Sequence, residues 1–163
     1  ANISGTYDIV IDGAVDDVKS ASNWSYQNKF ESFNTLASGD AFGYVAQLAG
    51  YAKAADKKAG GWWVVNKANG QFKYVPATGL DIDTEVAKIK DTVDKVKENK
   101  FERCFEPVPE TFRGKPTGNK VLNDGCKFCN YRFDCWDNLT ERPAVKSQAK
   151  NPPMINYIGD VIA

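Results

Sequence analysis

Gly5–Ser22, GTYDIVIDGAVDDVKSAS, is the stretch whose reading decides the fold. Asp12-Gly13 stands between two runs rich in Ile, Val and Tyr, and that dipeptide is the strongest short-range signal for a two-residue β-hairpin loop. The loop sets the register: Ile11 faces Ala14, Val10 faces Val15, Ile9 faces Asp16, Asp8 faces Asp17 and Thr6 faces Lys19. Side chains alternate along a strand, so Asp8, Asp17 and Lys19 leave from one face while Val18 points the other way. Opposed carboxylates with Cβ atoms roughly 5 Å apart repel one another. A hard divalent cation such as Mg²⁺ removes that repulsion, because it takes a couple of carboxylates together with waters and substrate phosphate. A lysine two residues beyond a carboxylate adds positive charge where phosphate charge develops during hydrolysis. Asp12 and Asp16 read as the solvated part of the same hairpin.

Further along, Ser38-Gly39-Asp40 predicts a helix start, and Ala41 to Lys58 a helix that buries Phe42, Val45, Leu48, Ala49 and Ala52. Gln47 and Tyr51, four residues apart, share one face of it, with Tyr44 on the neighbouring turn. An acid at the end of one strand, an acid-x-Lys on the next and a Q-x-x-x-Y helix afterwards, here Asp8, Asp17, Lys19, Gln47 and Tyr51, resemble the PD-(D/E)XK nuclease superfamily. Within it the match is to the RecB-like branch, most closely its bacteriophage-encoded members. The resemblance implies an α/β, restriction-endonuclease-like fold, a mixed sheet flanked by helices. It also implies metal-dependent cleavage of DNA phosphodiester bonds, exonuclease in preference to structure-specific endonuclease. Asp8, Asp17 and the backbone carbonyl of Val18 would hold Mg²⁺ or Mn²⁺; Lys19 would orient the attacking water and stabilise the pentavalent phosphate; Gln47 and Tyr51 would position substrate.

RecB-like nucleases usually carry an upstream helix that delivers one more acidic or histidine ligand. The chain has no His and enters its first strand within a few residues. The resemblance therefore implies a processed or truncated piece, with Glu31 or Asp40 as substitute ligands, or with an N-terminal fragment or another phage protein as partner. A non-catalytic nuclease-fold module that binds DNA or protein in a phage assembly is the alternative from a different class.

The 163 residues carry no net charge and are 42% hydrophobic, which fits one soluble globular domain with an accessory segment. No long apolar run and no signal-peptide pattern occurs, so neither a membrane span nor secretion is expected. A cytoplasmic setting follows, that of the host cell for a phage protein, with the virion as alternative. Neutrality argues against a broad electrostatic DNA surface, leaving contact to a local groove and the metals. Ser20, Ser22, Trp24, Tyr26 and Lys29 offer a path for a single strand, since bases stack on aromatics regardless of sequence; the competing reading makes Trp24, Tyr26, Phe30 and Phe33 packing residues, with a helix-like segment from Gln27 to Phe33. Trp62 to Lys67 and Gln71 to Pro76 predict a second hairpin around Asn69-Gly70. Asp81 or Asp83 caps a predicted helix to about Asn99, with Ile82, Val86, Ile89, Val93 and Val96 along one side.

All four cysteines fall in one segment, Cys104-x21-Cys126-x2-Cys129-x5-Cys135. Clustered thiols with a C-x2-C pair argue for a metal or cluster over disulfides, and without His the closed options are Zn²⁺ or an iron-sulfur cluster. The resemblance favours a 4Fe-4S cluster, whose last three ligands would match Cys126, Cys129 and Cys135; in such proteins the remaining ligand lies upstream of the core, so the fourth is either Cys104, downstream of it here, or an upstream residue that leaves Cys104 a bystander. The site would staple a segment too rich in polar residues, Gly and Pro to hold itself by burial. Lys115, Lys120, Lys127 and Arg132 around it read as solvated charges. The resulting plan is a nuclease core at 1–100, a Cys-bound segment at 101–139, and a tail at 140–163 that is linker-like and ends in a short apolar tag, Met154 to Ile162, able to dock on the body or on another protein.

Overall fold

The computed structural model describes residues 3–100 and 102–162, and these are mixed α/β with two four-stranded sheets. The chain divides into two compact units, Ala1–Phe101 and Glu102–Ala163.

In the first unit β1 (Ile9–Ile11) and β2 (Ala14–Ala21) form the hairpin. Its pairs are Ile9 with Asp16, Val10 with Val15 and Ile11 with Ala14, the register that the Asp12-Gly13 loop predicts. Both loop residues have positive φ, 50° and 77°, as a type I′ turn requires. The chain then passes through a π-helical turn at Ser25–Lys29, α1 (Phe33–Ser38) and α2 (Tyr44–Ala54) before β3 (Lys58–Asn66), which runs parallel to β2. The predicted single helix from Gln27 to Phe33 is thus replaced by two short pieces. Ser32 separates them, because its hydroxyl accepts from the Thr35 N–H and caps α1. Strand β4 (Phe72–Pro76) returns antiparallel to β3, giving the order β1-β2-β3-β4.

Val45, Leu48, Ala49 and Ala52 repeat at helical spacing on α2 and are buried. They help form a core with Val15, Leu36, Trp62, Val64 and Val75. Phe42, expected on that buried side, is 66% exposed. The cause is Gly43, whose φ of 71° makes it the N-cap, so that Phe42 lies outside the helix and its periodicity. Helix α3 (Ile82–Lys97) begins where Asp81 accepts from the Thr84 N–H, and packs against α2. Val96 leaves the predicted stripe and is exposed, near the end of α3.

The second unit is an antiparallel sheet of order β5-β6-β8-β7, with β5 (Val108–Phe112), β6 (Lys115–Val121), β7 (Leu139–Pro143) and β8 (Met154–Ile158). A short helix α4 (Arg132–Cys135) precedes β7. Residues 140–163 were expected to be a linker ending in a short apolar tag that docks on the body or on another protein; β8 pairs with both β6 and β7, and Tyr157 is fully buried. Leu122, Trp136, Leu139 and Ile158 form a small apolar core with Cys126 against it. Burial therefore contributes to holding this unit, contrary to the expectation that only the thiols would.

Candidate active site

Strand β2 presents opposite polar residues on its two faces. On one face Asp16 is 3% exposed; its Oδ1 accepts from the Tyr74 hydroxyl at 3.0 Å and its Oδ2 from the Trp63 indole N–H at 3.1 Å. Asp16 is thus no solvated hairpin residue, as the sequence reading had it. Its partners lie 47 and 58 positions away, beyond the reach of local pattern. Gly60 makes room for it, since a Cβ there would collide with Asp16 Oδ1. Burial first, and then the Asp16 carboxylate, push the Tyr74 hydroxyl up to about 12.

On the other face Asp17 is 2% exposed. Lys19 Nζ lies 2.6 Å from its Oδ2, a close ion pair that gives this buried oxygen its partner. Burial chiefly raises the Asp17 pKa; the Lys19 ammonium opposes that shift and the nearby Asp8 carboxylate adds to it. Asp8 itself accepts from the Val18 N–H at 2.7 Å, which ties the end of the first strand to β2. In an extended strand the N–H and C=O of one residue leave on the same edge, so the Val18 carbonyl faces the edge where Asp8 sits. Lys19 also donates to Gln47 Oε1 at 2.9 Å, and Gln47 Nε2 donates to the Tyr51 hydroxyl at 3.2 Å. The Tyr51 ring lies under the backbone of Gly5, where a Cβ would come within 2.6 Å of it. Asp8, Asp17, Lys19, Gln47 and Tyr51 are therefore one connected group, built by the β1–β2 hairpin and one face of α2. No family model, curated protein or solved structure matches the chain.

Neither proposed substitute ligand joins the carboxylates. Asp40 Oδ2 accepts from the Val45 N–H at 2.8 Å at the start of α2, and Glu31 acts electrostatically on Lys73. Among the described residues no group of three or more His, Cys, Asp or Glu side chains is placed to hold a metal ion. Two carboxylates and a carbonyl nevertheless fit Mg²⁺ or Mn²⁺, cations that keep several waters, and such an ion would relieve the repulsion between Asp8 and Asp17.

The residues expected to line a strand path differ in their surroundings. Ser20 is exposed, whereas the Ser22 hydroxyl accepts from the Ser25 N–H and supports the π-helical turn. Trp24 is 68% exposed. Tyr26 is covered by Lys73, whose ammonium lies 4.5 Å from its ring centre and donates to its carbonyl. Lys29 sits 4.8 Å from the ring centres of both Phe42 and Tyr44, residues that the sequence reading left out of the path.

All four cysteines are free of disulfides. Burial pushes the Cys126 thiol up, and Cys104, Cys129 and Cys135 each add to the shift, so the four influence one another without forming an assembled ligand set. Trp136 beside them stacks under the Arg103 guanidinium at 4.0 Å.

Proposed function

We propose that the chain is a metal-dependent DNA nuclease of restriction-endonuclease-like fold, with exonuclease action preferred. The observation that carries the reading is the buried Asp17 carboxylate paired with Lys19 and set beside a second carboxylate, with the lysine itself held by Gln47. A structural ion pair needs no second carboxylate beside it, because like charges set close together repel. The order hairpin, helix, parallel strand and antiparallel strand supports the fold assignment.

Asp8, Asp17 and the Val18 carbonyl would hold Mg²⁺ or Mn²⁺. When bound, such an ion polarises the phosphoryl oxygens and lowers the pKa of a coordinated water. Lys19 then leaves Asp17, orients the attacking water and stabilises charge on the phosphate. Gln47 fixes the lysine's reach, and Tyr51 fixes Gln47. The Cys-rich unit is read as the seat of a 4Fe-4S cluster or Zn²⁺ with a structural role.

A second reading, a non-catalytic nuclease-fold module that binds DNA or a protein partner, is favoured by one observation: only two carboxylates converge among the described residues. End-labelled single- and double-stranded DNA incubated with Mg²⁺ or Mn²⁺, beside EDTA, separates the two. Cleavage that falls about 10³-fold in Lys19→Ala supports the enzyme. No cleavage, or cleavage unaffected by EDTA and Lys19→Ala, overturns it.

A further inference from the structure

Beside the carboxylates lies an aromatic shelf that no part of the hydrolytic mechanism uses. Phe42 is 66% exposed, though it is stacked on Tyr44 with ring centres 5.7 Å apart and 22° between planes. Tyr44 stacks in turn on the buried Phe30 at 5.8 Å, which anchors the pair to the core. Two lysines share the Tyr44 ring: Lys29 Nζ lies 4.8 Å from its centre and Lys19 Nζ 5.0 Å. Lys29 also lies 4.8 Å from the Phe42 centre. Burial lowers the Lys29 pKa while the Asp40 carboxylate opposes that, so this ammonium is partly stripped of water and ready for an anionic partner.

A singly exposed ring is ordinary, and what sets Phe42 apart is its stacking on Tyr44 and the two ammonium groups beside the pair. Those neighbours choose what would cover it. The ring lies one side chain away from the lysine assigned to the scissile phosphate, and a second lysine stands over it. A backbone phosphate paired with a base matches that alternation of cation and π-face, whereas a duplex keeps its bases stacked inside and offers the ring nothing.

We propose that Phe42, Tyr44 and Lys29 form a single-strand subsite, in which an unpaired DNA base stacks on Phe42 and a backbone phosphate meets Lys29 while the adjoining phosphate reaches Lys19. The proposal rests on the nuclease reading for the direction of the strand, not for the binding itself. Substrate is therefore taken as single-stranded DNA, or as a duplex end that has been opened.

Binding of fluorescein-labelled oligothymidylate and of a blunt duplex to the full chain, followed by anisotropy with Ca²⁺ in place of Mg²⁺, tests it. Phe42→Ala should weaken oligothymidylate binding about tenfold, Phe42→Leu should behave likewise because it keeps bulk without a π-face, and Phe42→Trp should bind as wild type. Duplex binding and the melting temperature should not change among these variants. Lys29→Ala should lower the salt slope for the single strand by about 0.7. Wild-type binding by Phe42→Ala, equal losses on single strand and duplex, or no oligothymidylate binding by the wild type would each overturn the subsite. If Phe42-dependent binding holds but the wild type with Mg²⁺ or Mn²⁺ does not cleave, the nuclease reading fails and the subsite stands.

Discussion

Asp17 and Glu110, one in each unit, are carboxylates drawn into a sheet, and their surroundings differ in kind. Glu110 Oε2 accepts from Thr117 and from Asn119 Nδ2, and its Oε1 from the Tyr157 hydroxyl at 2.7 Å. Asn119 extends the network, since its side chain both donates to the Ile162 carbonyl and accepts from the Ile162 N–H. Burial alone would raise the Glu110 pKa, but those three donors and Lys146 together hold it below the ordinary carboxylate value. Asp17 is met by the Lys19 ammonium and faces the Asp8 carboxylate, and burial chiefly shifts its pKa upward. Asp16, its sequence neighbour, belongs with Glu110, because both its oxygens have donors. Neutral donors on both oxygens mark a carboxylate that holds the fold together; a buried one set between a lysine and a second carboxylate marks a place prepared for something else.

Substitutions break this comparison in opposite directions. Asp16→Ala strands the Trp63 indole and the Tyr74 hydroxyl, and should destabilise the protein by about 3 kcal/mol in urea unfolding. Glu110→Gln turns a donor toward groups that themselves donate, and should cost about 2 kcal/mol, confined to the second unit's transition. The same network carries a pH signature. A depressed Glu110 pKa gives stability that is fully present above the ordinary value of 4.5 and is lost as pH falls through the folded value, so the second unit of the wild type should weaken on acidification and Glu110→Gln should flatten that slope. Asp17→Asn should do the reverse of Asp16→Ala: in EDTA it relieves a buried charge facing Asp8 and should stabilise the first unit by about 1 kcal/mol.

Much of the first unit was legible. Asp12-Gly13 admits one tight turn, so the hairpin pairs follow from counting residues, and Gln47 and Tyr51 follow from helical spacing. What was not legible depended on contacts distant in sequence. Asp16 looks solvated until Trp63 and Tyr74 arrive from β3 and β4. Phe42 fits the apolar period of α2, and only the positive φ of Gly43 removes it from the helix. The tail at 140–163 has linker composition, but Met154 to Ile158 gain a partner on each side once β6 and β7 are formed. No helix among the described residues is long and apolar enough to cross a membrane.

The central claim, that Asp17 is kept ready for a cation while Asp16 is not, is tested most directly by Mn²⁺ uptake, read as loss of the free-ion signal in electron paramagnetic resonance. The wild type and Asp16→Asn should take up Mn²⁺, and Asp17→Asn should not. A wild type that leaves the Mn²⁺ signal untouched, or an Asp17→Asn variant that quenches it as fully as the wild type does, would contradict the account.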